Sequence, residues 1–94
     1  MEKQLLAEKV ATALEATLRM ETETPGWQSV GVARDQLRLI QESLASPSPD
    51  VGVLSSINLG VLAVREFDQR NPEYADLLME IQRLVKAEIE DPSR

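Results

Sequence analysis

The sequence contains no cysteine and no histidine. Without cysteine the chain has no disulfide, no thiolate nucleophile and no ordinary structural zinc site. Without histidine it lacks the side chain that most often acts as a general base near neutral pH. These two absences predict a protein that is not an enzyme and that holds no cofactor or metal.

Aromatic residues, positive charge and long apolar runs are also scarce. Trp, Tyr and Phe occur once each, and this paucity of aromatics favours helices over sheets. The net charge of −6 argues against nucleic acid and against an anionic membrane surface, because both attract clustered Lys and Arg. No apolar run approaches the roughly 18 residues of a membrane span, and the charged N-terminal stretch does not resemble a signal peptide. We therefore expect a cytoplasmic protein whose partner is another protein.

The 94 residues suit one domain, which breakers divide into four helical segments. Pro25-Gly26, the stretch Ser46-Pro47-Ser48-Pro49-Asp50 and Asn71-Pro72 are strong breakers, the last with Asn71 as a helix N-cap. Between them apolar residues recur at steps of three and four, the period of a helix. Helices are predicted at about 3–20, 27–45, 51–68 and 72–90. The stripe of the first helix steps by four, through Leu6, Val10, Leu14 and Leu18.

The third predicted helix, 51–68, is apolar nearly all round. One face carries Val53, Ile57, Gly60, Val64 and Phe67, and Leu59 and Leu62 fall on roughly the opposite side. A helix of this kind is normally buried among neighbours, and Gly60 predicts the close approach of another helix backbone. Short links favour antiparallel neighbours. The expected fold is all-α: a small four-helix antiparallel bundle with a central third helix.

The residues that could bind a ligand, transfer a proton or hold a metal have plain structural explanations. Trp27 opens the seam of the second helix and suits a core-covering role better than ligand stacking. Glu66 and Asp68 lie two residues apart, so on a helix they point in different directions and cannot share a proton. The spacing of the remaining acidic row is that of a solvated face, with no tight calcium-binding loop: Glu73, Asp76 and Glu80.

Residues 24–80 also contain a recognisable series of motifs. They are Pro25-Gly26-Trp27, then Ala33-x-x-Gln36-Leu37-x-x-Ile40, then Leu59-Gly60-x-x-Ala63-Val64-Arg65-Glu66-Phe67-Asp68 followed by Pro72-Glu73. In these motifs the chain resembles the immunity proteins of type VI secretion that neutralise NAD(P)-glycohydrolase effector toxins. The first helix and the last turn match poorly.

The resemblance implies a cytoplasmic immunity protein that binds a cognate secreted toxin domain and occludes its active site. Immunity to a different nucleotide-targeting effector toxin, or a generic helical protein-interaction module, is the alternative. Neither the resemblance nor the composition decides between a monomer and a homodimer.

An inhibitor of such a toxin should present an acidic surface, because clefts that hold dinucleotide phosphates tend to be lined with positive charge. We expect partner contacts from the third and fourth helices and their turn: Glu66, Asp68, Arg70, Glu73 and Asp76, with Trp27 as an aromatic anchor if exposed, and Leu59 and Leu62 as an apolar centre if uncovered. Two alternatives stay open. In the first, Asp68 shapes the turn and Glu66 pairs with a neighbouring Arg. In the second, the acidic row is only a solvated face and the first helix makes the contacts.

Overall fold

The computed structural model describes residues 2–47 and 51–90, with side chains from residue 3 onward. Three long helices are α1 (Glu2–Glu23), α2 (Gln28–Ala45) and α5 (Pro72–Glu90). Between α2 and α5 lie α3 (Val51–Ser55), α4 (Leu59–Leu62) and a π-helical segment (Ala63–Phe67), here called the π segment. Neither described range contains a strand, and the predicted all-α fold is confirmed. The predicted breaker at Ser48-Pro49-Asp50 lies outside the described residues.

Contacts between side chains establish that neighbouring helices run in opposite directions. Lys9 on α1 forms an ion pair with Glu80 on α5 at 3.3 Å, and Thr17, further along α1, contacts Tyr74, earlier on α5. The contacts of α2 with the following segment have the same reversed order: Ser29 with Glu66, and Gln36 with Asn58. The antiparallel arrangement follows from these pairs.

The core lies between α1, α2, α5 and the segment that joins the last two. The large side chains with less than 2% exposure come from all of these: Leu6, Val10, Val30, Leu37, Ile40, Leu54, Leu59, Phe67, Leu78, Ile81, Leu84 and Val85. Because each element buries one stripe and leaves its other side in water, the bundle stays together by apolar burial. No helix in the described ranges is long and apolar enough to cross a bilayer.

The turn at Pro25-Gly26 ends α1. The N–H of Trp27 donates to the carbonyl of Thr24 at 3.4 Å, and Gly26 has φ of 91°. Proline at the first central position and a positive φ at the second are the features of a type II turn, which glycine adopts without Cβ strain. The α1 helix continues to Glu23, three residues beyond the predicted end.

The start of α5 is the one that the sequence predicts. The helix begins at Pro72, and Asn71 Oδ1 accepts a hydrogen bond from the N–H of Tyr74 at 3.3 Å. The Asn71 amide also lies 3.8 Å from the sulfur of Met20 on α1. The N-cap therefore satisfies a free backbone donor and also holds the start of α5 against α1.

The segment predicted as one helix over 51–68 is interrupted at 56–58. Asn58 has φ of −131° and ψ of 39°, outside the helical region. Ser56 Oγ donates to the carbonyl of Val53 at 2.6 Å, and the N–H of Ile57 reaches back only three residues, to Leu54. Serine and asparagine side chains offer the backbone such alternatives to a helix. Weak helix formers in Ser55-Ser56-Ile57-Asn58 thus divide the predicted helix.

The same segment is not enclosed on all sides. The side chains of Val61 and Val64 are 56% and 61% exposed. The N–H of Asp68 donates to the carbonyl of Ala63, five residues back, at 2.9 Å, and this π-type bond widens the turn. The fully buried line steps by four through Leu59, Ala63 and Phe67, and of these only Phe67 belongs to the predicted inner face.

Gly60 has the close neighbour that the sequence predicts, but it is a side chain and not a backbone. Its N–H donates to Gln82 Oε1 of α5 at 3.2 Å. A Cβ atom at Gly60 would lie 3.3 Å from Gln82 Cγ, a tight contact. Gln82 thus occupies the space that the missing side chain leaves.

Candidate partner-binding surface

One end of the bundle is formed by the turn before α2 and the turn before α5. Trp27 lies there, half-buried, with the Phe67 ring 5.0 Å away at a tilt of 51°. The guanidinium of Arg70 lies 5.1 Å from the centre of the Trp27 ring, in a cation–π contact. Trp27 therefore helps to close the core, and only its remaining edge is available to a partner.

The two other aromatic residues continue this cluster inward. Phe67 packs edge-to-face on Tyr74 with ring centres 4.9 Å apart, and the Tyr74 hydroxyl lies 2.6 Å from Thr17 Oγ1. Burial raises the pKa of Tyr74, and the negative charge of Glu21 adds to this. The surface above this cluster rests on a packed, hydrogen-bonded base.

Three of the predicted contact residues are free carboxylates at this end. Asp68, Glu73 and Asp76 are exposed, and none of them forms an ion pair with another residue of ranges 2–47 and 51–90. Arg70 is also exposed, but its charge lies over Trp27. The turn end therefore presents three carboxylates that form no ion pair with a described side chain, and Arg19 of α1 lines the same surface pocket as Glu73.

Glu66 and Asp68 differ in their environments. Glu66 is half-buried, and its Oε1 accepts a hydrogen bond from Ser29 Oγ at 2.7 Å, which links the π segment to α2. The partner of Glu66 is thus a serine and not the arginine of the structural alternative. Asp68 shapes the turn through its backbone N–H, bonded to Ala63, while its side chain is exposed.

The two leucines of the predicted apolar centre also differ in their exposure. Leu59 has no exposed surface, so a partner cannot reach it without opening the core. Leu62 is half-buried and lines a shallow groove between α2 and the joined α4 and π segment. Of the two leucines, only Leu62 is uncovered, as the predicted apolar centre requires.

This groove, which sequence reasoning missed, has a volume of about 240 Å³. Its walls come from α2, from the break at Asn58 and from the following segment: Ser29, Val32, Gln36, Asn58, Val61, Leu62, Arg65 and Glu66. Val32 was the available signal, because it is an apolar residue on the polar side of the α2 seam. The groove forms where the third segment breaks, and that break was not predicted.

The surface combines exposed carboxylates, an arginine over an indole ring and the apolar walls of the groove. Among the described residues no three His, Cys, Asp or Glu side chains come together in a way that could hold a metal ion. Its carboxylates are either exposed or, in Glu66, bonded to a hydroxyl. Charged and apolar side chains on a rigid helical base are the usual components of a protein–protein interface.

Comparison with known proteins gives one family. The family model Tsi6 matches residues 6–87, a range that includes both turns of the charged end, the groove and the interrupted segment. The comparisons with curated proteins and with solved structures gave no match. Since the match spans most of the sequence, the chain belongs to the Tsi6 family of type VI secretion immunity proteins.

Proposed function

We propose that this chain binds a cognate NAD(P)-hydrolysing toxin domain in the cytoplasm and neutralises it by covering its active site. Membership of the Tsi6 family supports the class of function. The observation that carries the finer proposal is the set of unpaired carboxylates at the turn end, Asp68, Glu73 and Asp76.

Charge makes this surface suitable for a nucleotide-binding cleft. A site that holds the phosphates of a dinucleotide tends to carry positive charge, and carboxylates match the sign of the substrate. The net charge of −6 also accelerates the encounter with a basic surface. Inhibition then requires only that the folded surface exclude the substrate, with no chemistry on the inhibitor.

The base of the surface is well ordered for this role. Asn71 caps α5, Arg70 lies over Trp27, and Phe67 packs below. A surface held in its binding conformation loses less conformational entropy on association than a mobile one. The backbone that carries the carboxylates is therefore held by a helix cap and by ring packing.

The test is inhibition of the toxin domain encoded beside this chain, measured as consumption of NAD(P) with increasing inhibitor. The triple variant Asp68→Lys, Glu73→Lys and Asp76→Lys should slow association and restore the toxin's activity. Glu66 is left unchanged because its reversal would also break the hydrogen bond with Ser29.

A matched control separates local contact from net charge. The triple variant Glu8→Lys, Glu42→Lys and Glu90→Lys alters exposed residues away from the turn end by the same total charge, and it should still inhibit. Equal loss in both triple variants, or full inhibition by the first, contradicts the proposed surface. A toxin that is inhibited but leaves NAD(P) intact would point to another nucleotide-targeting effector.

A further inference from the structure

We propose that the groove between α2 and the joined α4 and π segment anchors the toxin, and that it receives a toxin segment presenting an aliphatic side chain beside a carboxylate. This inference rests on the proposed function and names a second part of the same interface. It is carried by the apolar walls of the groove, by the hydrogen bonds among its polar groups and by Arg65, an exposed cation that lines it.

The apolar walls of the groove are open to water. Val61 is 56% exposed and Val32 is 46% exposed, on opposite walls, with the half-buried Leu62 beside them. The neighbouring Val64, at 61%, is the most exposed large apolar side chain of the described residues. Exposed apolar groups that cluster and have polar neighbours mark interaction sites, because their burial by a partner is favourable.

The polar groups of the groove already satisfy one another. Ser29 Oγ donates to Glu66 Oε1. The Gln36 side-chain amide makes two bonds to Asn58: its Oε1 accepts from the backbone N–H at 2.8 Å, and its Nε2 donates to Asn58 Oδ1. Because the neutral groups keep their hydrogen bonds when water leaves, covering them costs less than covering unpaired polar groups. The Glu66 carboxylate keeps its charge, so it must stay at the wet rim of the contact.

The groove is lined by two charged residues, Arg65 and Glu66. Arg65 is exposed and forms no ion pair within residues 2–47 and 51–90, whereas Glu66 is bonded to Ser29. A carboxylate from the partner would complete a charge-assisted contact with this guanidinium. Since the turn end is acidic, a cation at the groove gives the interface two signs of charge and so fixes the orientation of the partner.

The groove also adjoins the surface proposed above. It shares Leu62 and Glu66 with the predicted contact residues, and Asp68 follows two positions after Glu66. A toxin seated on the turn end would therefore lie next to the groove. We assign the acidic turn to the active-site cleft and the groove to an adjacent aliphatic and acidic segment of the toxin.

The absence of cysteine provides a direct test. In the variant Val61→Cys the chain has one thiol, whose alkylation by N-ethylmaleimide is measured by mass with and without an excess of the toxin domain. The rate should fall at least tenfold in the complex. In the control Leu5→Cys, at 38% exposure near the end of α1 that is remote from the turn, the rate should not change.

A second measurement tests the charge. Arg65→Glu should weaken toxin binding at least tenfold while Arg65→Lys weakens it less, and Arg38→Glu, an exposed position outside the groove, should bind normally. Unprotected alkylation at Val61→Cys, equal protection at Leu5→Cys, or normal binding by Arg65→Glu would overturn the inference. If the toxin is still inhibited in those cases, the proposed function stands. If the native chain does not inhibit the toxin, both fail.

Discussion

The hydroxyl of Tyr74 on α5 donates a hydrogen bond to Thr17 Oγ1 on α1, in a buried contact of 2.6 Å. The direction follows from a second bond, because Thr17 Oγ1 also lies 2.6 Å from the carbonyl oxygen of Ala13. A carbonyl only accepts, so the single hydroxyl hydrogen of Thr17 is used there and Tyr74 must supply the other. This pair fixes α5 against α1 near the turn end.

Removal of either hydroxyl should destabilise the fold by different amounts. Tyr74→Phe leaves only an acceptor of Thr17 unfilled, and we expect a loss of about 0.5–1.5 kcal/mol in the free energy of unfolding. Thr17→Val leaves the buried Tyr74 hydroxyl without an acceptor and should cost about 1–3 kcal/mol. Urea unfolding measures both, and the double variant should lose less than the sum. Additive losses would contradict the pairing.

The raised pKa of Tyr74 predicts a loss of stability at high pH. The unfolded chain loses the tyrosine proton near pH 10, its ordinary value, while the folded chain still holds it. The unfolded state then binds fewer protons, so the free energy of unfolding is unaffected by this group below about pH 10 and falls as the pH rises through the folded pKa. Because the chain has one tyrosine, tyrosinate absorbance assigns the titration directly. Tyr74→Phe should remove this component of the decline.

Gly60→Leu should cost at least about 1–3 kcal/mol of stability, because its side chain would collide with Gln82. Gly60→Ala should have a small effect, since a gain of about 1 kcal/mol in helix propensity offsets the 3.3 Å contact with Gln82 Cγ. Gly31→Ala is the matched control and should stabilise, because its nearest neighbour lies 3.9 Å away on Arg34. A higher melting temperature for both Gly60 variants would show that the position is open.

Glu66 and Asp68 should respond differently to alanine. Glu66→Ala removes the acceptor of Ser29 and should lower stability by about 1 kcal/mol, the order of one hydrogen bond. Asp68→Ala removes an exposed carboxylate that forms no ion pair with a described side chain, so stability should hold while toxin binding falls. Thermal unfolding and binding of the toxin domain, measured on the same samples, separate the two. Equal stability losses would contradict this assignment.

Gln36 should be needed for the shape of the interrupted segment. Gln36→Leu removes both bonds to Asn58. Because Asn58 is exposed, hydrogen bonds to water replace part of what is lost. We expect a cost of about 1 kcal/mol and faster amide exchange at Asn58. The control Gln41→Leu, an exposed position on the same helix, should alter neither. Unchanged exchange at Asn58 would count against the role of Gln36.

The α2 seam and the start of α5 were predictable from local rules. Alternating steps of three and four placed Val30, Ala33, Leu37 and Ile40 on one face, and all four are buried. Asn71-Pro72 defined the helix start because N-cap chemistry acts within a few residues. In both cases neighbours in sequence decide the outcome.

The stripe of α1 was predicted only in part. A step of four residues advances a helix about 40° beyond a full turn, so three such steps from Leu6 place Leu18 about 120° away. Leu18 is accordingly 48% exposed, whereas Leu6, Val10 and Ala13 are fully buried. Counting equal steps overestimated the width of the face.

The interruption of the third segment could not be predicted from spacing. Its local cause is the run of weak helix formers Ser55-Ser56-Ile57-Asn58, and Gln36 on α2 holds the broken form through two bonds to Asn58. Apolar periodicity continues through the break, so the pattern alone favours one helix. The groove requires that break, so apolar spacing could not predict it either. The exposed acidic residues of the turn could be predicted from the sequence.

The placement of Trp27 gives the protein a built-in optical reporter. It is the sole tryptophan, and Phe67 and Arg70 both contact its ring at the end where a toxin is expected to bind. Indole emission responds to solvent and to nearby charge, so displacement of Arg70 would alter the signal without any label. Association at this end is therefore observable in the native chain, and a binding event confined to the opposite end would leave the emission unchanged.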